Sequence, residues 1–402
     1  MTNLTLKDIT AEELVSRSAA AGEPTWLSER RREAWEHFAQ AIPPFWRRTN
    51  LTGLNPEILM PAESAQGTAI QWDAELARTG AVFTTMAAAL RSHEELIRAK
   101  MDTAVDPLEH KFSALRAALW QDGAFLYVPK GVSLDLPLRV CYTLSDSNQA
   151  IFPRTLVILE DNASVTLIEE FTSHDHVDAA MAGPITEIFA GPGSSIRFAS
   201  VQHWGAGVYH IGGQKLVLGR DASAEWTSVA LGGEVQHIEA ETRLEGNGSQ
   251  VNWLGATFAS GTQNLVIAPW LRHVGYNAES FMQFKTVVND TAYSVFDGMI
   301  KIEHDSKATS TRLEEHALHL SPKARNDSIP GLKIDTNDVL KGGHASTSGD
   351  VDDTQLFYMQ ARGIKRDDAR RMIVMGFFEP AMNRIPVEEL RDELTGIIEA
   401  KI

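Results

Sequence analysis

The chain has 402 residues, of which 43% are hydrophobic and 22% charged, proportions typical of a globular protein with a substantial core. Its net charge of −16 disfavours nucleic acid and anionic membranes as partners, because both would repel it. A single cysteine, Cys141, permits neither a disulfide framework nor a four-thiolate metal site within one chain. The start of the chain lacks an apolar signal core, and no stretch approaches about 18 consecutive apolar residues, so we expect a cytoplasmic protein.

The first part of the sequence has the periodicity of helices. Thr10 and Glu13 predict a capping box that opens a short helix. Further helices follow, the last of them over residues 106–120 with Asp106 as its cap. We therefore predict an N-terminal helical region over residues 1–120.

Residues 121–350 change to a period of two, with short apolar-alternating runs separated by turn residues. A small residue, usually after Asn, Asp or Gly, precedes a strand at intervals of about 16 residues or about twice that. These small residues are Ala163, Ser194, Ala222, Gly248, Ala278, Ala292, Ala308 and Ala324. Such self-similarity favours a β-helix or solenoid, in which stacked coils bury a continuous core, with a β-sandwich as the alternative.

The helical period returns after the strands and predicts a C-terminal helical region over residues 351–402. Asp352 and Asp353 are placed to cap its first helix. The second helix has a predicted buried stripe. Its members are Ala369, Met372, Ile373, Gly376 and Phe377. Helices at both ends of the chain would cover the open edges of a solenoid, which otherwise invite aggregation.

Few side-chain patterns indicate chemistry. The chain has no P-loop motif, so we expect no nucleotide hydrolysis by that route. His174 and His176 could form a metal pair on a strand, but the surrounding SHDHVD is typical of an exposed turn. Gly191-Pro192-Gly193 is interpreted as a turn, and Cys141 as a small buried hydrophobic residue.

His344 is a stronger candidate. It lies in LKGGHASTSG, among glycines and small residues that let a metal or a partner approach closely. A neutral imidazole is a ligand for iron and zinc alike. On the residues alone, both a metal site and a structural or surface histidine stay open.

Longer motifs extend along nearly the whole chain. They include EPTWLSERRREAWEHF and WRRTNLTGL near the start, FLYVPKGVSLDLPL in the middle, and PGLKIDTNDVLKGGHASTSGDVDDTQLFYMQARGI towards the end. Together they resemble the SufB/SufD family of iron–sulfur cluster assembly proteins. The resemblance implies a mostly β fold, with a right-handed parallel β-helix core flanked by N- and C-terminal helical regions.

The resemblance also implies an accessory scaffold that is not an enzyme. In this family a SufB-like and a SufD-like chain pair through their β-helices and act with an ABC-type ATPase, SufC. We therefore expect a SufB-like chain and SufC as partners, ATP hydrolysis in SufC, and a possible homodimer in isolation. The implied ATPase docking surface falls around residues 354–385. Its expected contacts are Phe357, Tyr358, Arg362, Gly363, Met372 and Phe377.

Two positions indicate the SufD-like branch. SufB-like chains carry a cysteine ahead of the DSxP segment, where this sequence has Asn326. His344 matches a SufD histidine regarded as a cluster ligand or interface residue, which implies a transient iron–sulfur cluster at the seam with the partner and no tightly bound cofactor. His273 and Ser280 also fit the family, whereas Asn264-Leu265 stands where an acidic residue is common.

Two other functions are considered. A main scaffold of the SufB type, working as a homodimer with SufC, would need a ligand thiol, and only Cys141 exists. A β-helix carbohydrate lyase or hydrolase would need an acidic pair on one face of a coil, and none is evident in the sequence. Such enzymes usually act outside the cell, which fits poorly with the absence of a signal sequence.

Overall fold

A parallel β-solenoid of about eight turns forms the centre of the molecule, with helices from both termini packed against it. The predicted fold class is therefore confirmed. The computed structural model describes residues 4–62, 69–70 and 76–402. The remaining residues of the predicted N-terminal helical region, 1–3, 63–68 and 71–75, lie outside that description.

The described part of the N-terminal region is mainly helical. Its helices are α1 (Ala11–Ala20), α2 (Thr25–Gln40), α3 (Met86–Ser92), α4 (Glu94–Lys100) and α5 (Lys111–Leu119). Its strands are β1 (Met60–Pro61), β2 (Ala69–Ile70) and β3 (Val82–Thr85). Short 3-10 turns occupy Leu6–Asp8, Pro56–Ile58 and Leu76–Thr79.

The strands of the solenoid lie between residues 123 and 350, and helices follow them. In chain order the strands are β4 (Gly123–Val128), β5 (Leu138–Leu144), β6 (Gln149–Ile151), β7 (Arg154–Leu159), β8 (Ser164–Ser173), β9 (Ala180–Ala182), β10 (Ile185–Ala190), β11 (Ser195–His203), β12 (Val208–Leu218), β13 (Ser223–Ala230), β14 (Val235–Leu244), β15 (Gln250–Ala259), β16 (Asn264–His273), β17 (Glu279–Val288), β18 (Tyr293–Phe296), β19 (Met299–Ile302), β20 (Thr309–His319), β21 (Arg325–Ser328), β22 (Gly331–Ile334) and β23 (Val339–Asp350). The C-terminal helices are α6 (Asp353–Gln360), α7 (Arg366–Met382) and α8 (Glu388–Ala400).

The strands form two sheets whose inner faces share one apolar core. The main path of sheet A is β21-β18-β16-β14-β12-β10-β7-β4-β3, with β1, β6, β9, β19 and β22 attached beside it. Sheet B has the order β2-β5-β8-β11-β13-β15-β17-β20-β23. Strands of successive coils pair in parallel, so side chains at equivalent positions stack in columns along the solenoid.

The six successive corners from sheet A to sheet B that begin after β7 and end before β20 each contain one residue in the left-handed conformation. These residues have φ between 52° and 72°, and they are Asn162, Gly193, Asp221, Gly248, Asn277 and Ala308. Each donates its backbone N–H to a carbonyl one coil further on, as Asn162 does to Pro192 over 2.8 Å. Asn, Asp and Gly adopt this conformation at low cost, which is why they punctuate the sequence at these corners.

The predicted turn repeat is confirmed, with a correction in phase. Gly248 and Ala308 are themselves left-handed corner residues, and the small buried residues beside them are Ser249 and Thr309. Ala292 and Ala324, by contrast, lie at the opposite corner, which leads from sheet B back to sheet A. Small residues from the two kinds of corner therefore follow each other about half a coil apart. This explains the interval of about 16 residues between Ala292, Ala308 and Ala324.

The core contains a stack of large aromatic rings. Trp226 and Trp253 lie opposite each other on β13 and β15, with ring centroids 3.9 Å apart and an interplanar angle of 4°. Both side chains are fully buried, and the indole Nε1 of Trp253 donates to Ser228 Oγ over 3.0 Å. In-register pairing of successive coils brings the two rings face to face.

The terminal helices cover the outer faces of the sheets, and this corrects the expectation that they would cover the ends of the solenoid. N-terminal helices pack on outward apolar side chains of sheet A such as Phe125 and Ile158. Helices α7 and α8 pack on outward side chains of sheet B such as Val229 and Phe258. At the N-terminal end, β2 and β3 run antiparallel to β5 and β4 and close the sheets.

Residues Trp46–Asn50, which we call the N-terminal strap, run along the outer face of sheet A. The Trp46 ring stacks on His237, with centroids 3.7 Å apart. The backbone N–H of Asn50 donates to Asn264 Oδ1 over 2.7 Å, and Arg48 pairs with Asp327 over 3.2 Å. The strap thus connects β14, β16 and β21, and its motif WRRTN supplies these contacts.

Two helix predictions are confirmed and two are wrong. Thr10 Oγ1 caps α1 by accepting from the N–H of Glu13, which is the Thr10 half of the predicted capping box, while Glu13 Oε1 accepts from Arg17 Nε; Asp352 caps α6, as predicted. The cap of α5 is His110, because its Nδ1 accepts two backbone N–H groups, whereas Asp106 lies four residues earlier. The predicted stripe of α7 is largely wrong. Its buried members are Ala369, Val374, Phe378, Ala381 and Met382.

Replacing Trp253 by Ala is expected to lower the free energy of unfolding by about 3–5 kcal/mol, because it leaves a cavity beside Trp226 and removes the ring contact. Urea unfolding followed by far-UV circular dichroism measures this loss. Trp270→Ala is the matched control, since that ring is 43% exposed and its loss should cost about 1 kcal/mol or less. Equal losses for the two variants would contradict the assigned core.

Candidate functional site

The last strand of sheet B leaves one edge of the solenoid open. Within the described residues, no strand pairs with the outer edge of β23, which we call the free edge. The strand is 12 residues long and rich in glycine and small polar residues, and its Leu340 is 63% exposed. Natural sheet edges are usually covered or blunted by charges and bulges, because unpaired N–H and C=O groups attract another strand. The free edge is therefore a surface suited to strand pairing.

His344 lies at the uncovered end of the core. In β23 it stands opposite Leu313, whose column continues inward through Met282 to Trp253 and Trp226. In-register stacking places the imidazole on the same inward side as these buried side chains. His344 is nevertheless exposed, because β23 is the last strand of its sheet. The structure thus places it where a partner or a metal ion could reach it.

A buried carboxyl group lies next to this position. Asn326 Nδ2 donates to Glu315 Oε1 over 3.2 Å, and Ser346 Oγ donates to Glu315 Oε2 over 3.4 Å. Burial raises the pKa of Glu315. Ser346 is two residues from His344, so both side chains lie on the same face of β23. Asn326, at the position where the family resemblance led us to expect a cysteine in SufB-like chains, therefore belongs to the polar cluster at the same open end as His344.

His273 and Ser280 are also brought together. His273 Nε2 lies 2.8 Å from Ser280 Oγ, which in turn lies 2.6 Å from Thr311 Oγ1. Burial lowers the pKa of His273 to about 4, so its imidazole is neutral at physiological pH. Asn264 binds the N-terminal strap through its Oδ1 and donates to the Tyr293 carbonyl. Asn264 thus serves a structural contact in this chain.

The predicted ATPase-docking residues divide into exposed and packed members. Phe357, Tyr358 and Met372 are 71%, 58% and 55% exposed, respectively. The Arg362 guanidinium stacks on the Tyr358 ring at 3.5 Å, and Gly363 takes φ 85° just beyond α6. Phe377 is different, because its ring packs against the apolar cluster of sheet B with Lys285 Nζ 4.8 Å from its centroid.

Inside the solenoid, Glu169 is a polar group that the sequence reasoning missed. Its carboxylate accepts hydrogen bonds from Thr155 Oγ1 (2.5 Å), Thr186 Oγ1 (2.9 Å) and Gln214 Nε2 (3.1 Å). Burial raises the pKa of Glu169 to about 7, against these hydrogen bonds. A signal existed in the sequence, because Glu169 occupies an inward position of the alternating run VTLIEEF, where an apolar residue is the rule.

Cys141 is not the core residue that we predicted. It lies on the outer face of sheet B and is half-buried, because the alternation of β5 turns Val140 and Tyr142 inward. Burial raises the pKa of the Cys141 thiol, and the neighbouring Glu170 carboxylate adds to this shift. On β8, Glu170 is directly opposite Cys141 and is bound by Arg139 Nε over 2.8 Å.

The turn interpretations are confirmed. His174 and His176 follow β8 in an exposed turn, with ring centroids 5.7 Å apart. Gly191-Pro192-Gly193 forms the corner between β10 and β11. No helix in the described part of the chain is both long and apolar enough to cross a bilayer.

These features define a β-solenoid protein with an open last coil, a histidine at the end of its core and helices on both outer faces. Sequence comparison gives its family. The family described as "SUF system FeS cluster assembly, SufBD core domain" matches residues 142–377, and "SufBD protein N-terminal region" matches residues 68–140. The chain belongs to the SufBD family of iron–sulfur cluster assembly proteins and is SufD-like.

Curated relatives agree with this assignment. The chain is 34% identical to the iron-sulfur cluster assembly protein SufD of Bacillus subtilis over 330 residues, which are 82% of this chain and 75% of the relative. An iron-sulfur cluster assembly SufBD family protein of Staphylococcus saprophyticus is 30% identical over 78% of this chain and 67% of its own. SufB of Bacillus subtilis is 26% identical over 90% and 78% of the two chains.

The raised pKa of Glu169 predicts a pH dependence of stability. Because the native state holds this proton more tightly than the unfolded chain, stability falls as the pH rises from 4.5, the ordinary value, to about 7. Relative to Glu169→Gln, the free energy of unfolding of the native chain should fall by up to about 3 kcal/mol between these pH values. Above pH 7 it should fall no further relative to the variant. Urea unfolding at several pH values measures the difference. Parallel pH profiles for the two proteins would show that Glu169 does not carry the effect.

Proposed function

We propose that the chain is an accessory, non-catalytic scaffold subunit of a SufBCD-type complex that assembles iron–sulfur clusters. The observation that carries this proposal is the free edge of β23, which presents His344 at the open end of the core in a member of the SufBD family. The relatives named SufD and SufB in one organism, Bacillus subtilis, support a pair of related chains.

The free edge fits a second β-helix as its partner. A strand of 12 residues extends over about 40 Å and leaves a row of backbone donors and acceptors for pairing. Its glycines and small side chains allow the backbone of another strand to approach closely. A SufB-like chain would continue the solenoid across this seam, and a second copy of this chain could occupy the same edge in isolation.

The exposed side chains of α6 and α7 support docking of the ATPase SufC. Phe357, Tyr358 and Met372 offer apolar surface that no other described residue of this chain covers. Aromatic anchors of this kind supply much of the binding energy of protein interfaces. Helix α7 packs on sheet B, so a movement of the bound ATPase would reach the solenoid through that contact. In this proposal ATP hydrolysis belongs to SufC.

His344 would supply a nitrogen ligand to a transient cluster at the seam. Histidine ligation of iron–sulfur centres has precedent in Rieske sites. Asn326 provides no thiolate, so sulfur ligands would come from the partner. Cys141 cannot replace them at this place, because β5 and β23 are separated by six strands of sheet B. This separation disfavours the alternative of a main scaffold acting as a homodimer.

The composition of the complex is the first test. Co-expression with the SufB-like and SufC-like proteins of the same host should yield, by light scattering on a sizing column, one chain of each scaffold and two ATPases. Phe357→Ala with Tyr358→Ala should release the ATPase and keep the SufB-like chain. Phe45→Ala, another highly exposed aromatic residue, is the control and should change nothing. A chain that binds neither partner would refute the proposal.

The ligand role of His344 gives a second expected result. His344→Ala should leave the complex intact and lower the rate of cluster assembly at least about tenfold, because one of the cluster's ligands is lost. His344→Cys should restore part of the rate, since a thiolate also binds iron. His304→Ala, an exposed histidine in the turn before β20, is the control. Assembly at the normal rate by His344→Ala would exclude the ligand role.

A further inference from the structure

Three potential metal ligands meet on the outer face of sheet B, far from the free edge. They are Glu170 on β8, His203 on β11 and Glu393 on α8, and one donor atom from each lies within 4.8 Å of the others. His203 Nε2 is 2.8 Å from Glu170 Oε1, and His203 Nδ1 is 3.9 Å from Glu393 Oε1. The side chains of Glu170 and His203 are only 3% and 8% exposed.

The fold explains why these residues meet. Strands β8 and β11 are neighbours in sheet B, where Glu170 is opposite Val201 and His203 lies two residues further along on the same outer face. Helix α8 packs on this sheet through Leu390 and Leu394, which brings Glu393 over the pair. The Glu393 side chain is 51% exposed, so it closes the cluster from the solvent side and leaves room for water.

We propose that Glu170, His203 and Glu393 bind one divalent transition-metal ion, of the Zn²⁺ or Fe²⁺ class. One imidazole nitrogen and two carboxylate oxygens form a donor set that suits these ions, whereas Mg²⁺ and Ca²⁺ prefer oxygen donors alone. A tetrahedral zinc ion with bonds of about 2.1 Å keeps its donors about 3.4 Å apart. Binding would widen the 2.8 Å contact between His203 and Glu170 and bring Glu393 in from its present 3.9 Å, and water would fill the fourth position.

The environment of Glu170 prepares it for this role. Arg139 Nε binds Glu170 Oε2 over 2.8 Å, which fixes the carboxylate and leaves Oε1 directed at His203. A bound ion would replace the hydrogen bond between His203 Nε2 and Glu170 Oε1, with the imidazole binding in its neutral form. Cys141 is opposite Glu170 on β5 but is not a member of the donor cluster, so the site contains only nitrogen and oxygen ligands.

Metal binding at this place would fasten α8 to sheet B. The solenoid supplies two ligands and the C-terminal helical region supplies the third, so an occupied site adds a metal link to the apolar contacts and hydrogen bonds, such as Lys401 Nζ to the Phe258 carbonyl, that already join these two parts of the chain. Any ligand that binds only the folded arrangement stabilises it. Occupancy should therefore protect the α8 segment from proteolysis, without any need for SufB-like or SufC-like partners.

Titration of the untagged, chelator-treated full chain with Zn²⁺ in a calorimeter tests the proposal. One binding event is expected, and it should weaken at least about 100-fold in His203→Ala and at least about tenfold in Glu393→Gln. Glu399→Gln, on the same helix, and His174→Ala, in the exposed histidine pair, should keep it. His344→Ala should also keep it, which separates this site from the proposed cluster ligand.

Cobalt(II) provides a second readout that does not depend on assembly activity. Its bound spectrum should show ligand-field bands without a thiolate charge-transfer band, and Cys141→Ser should leave it unchanged. Because Glu393 is largely exposed, Glu393→Gln is a test that does not disturb the core. The proposal would be overturned if the native chain did not bind zinc, or if Glu393→Gln and His203→Ala bound it as tightly as the native chain. Loss of zinc binding in His174→Ala would also overturn it.

Discussion

In-register stacking of the coils is the constraint on which the rest of this structure depends. Corner residues about 27 to 31 positions apart donate their N–H groups to the next coil, and strands of both sheets pair in parallel in the same register. Register fixes which side chains share a column, because side chains alternate between the two faces of a strand. The aromatic stack of the core, the apolar outer faces that receive the terminal helices and the alignment of His344 all follow from this one condition.

The same column that builds the core also produces the candidate site. From Leu138 through Phe198, Trp226 and Trp253 to Leu313, every member of this column in sheet B is buried and apolar. The last member is His344, and in the part of the chain that the structure describes no further strand of sheet B covers it. The side chain at this position is buried in seven strands of sheet B and exposed in the eighth. The seam that we propose for cluster assembly therefore lies at the open end of the solenoid, where the core reaches the surface.

The sequence predicted the elements well and their surroundings less well. Turn residues and alternating runs carried the repeat, since left-handed corners need Asn, Asp or Gly. The corner phase was misassigned at Gly248, because a glycine can be either the corner or the small residue that follows it. The site at His344 was predicted through family resemblance, as nothing local distinguishes it from a surface histidine. Glu169 and the Glu170–His203–Glu393 cluster were missed, because their members meet only through the sheet register or the packing of α8.

The contact of the N-terminal strap with the last coil imposes an order on folding. Arg48 and Asp327 bind each other across 279 positions of the chain. At ribosomal rates of about 5–20 residues per second, that interval corresponds to tens of seconds between the synthesis of the two residues. The middle coils can stack during this time, because each needs only its neighbour. The Arg48–Asp327 contact is therefore among the last to form, whereas the contacts of the strap with His237 and Asn264 need only earlier coils.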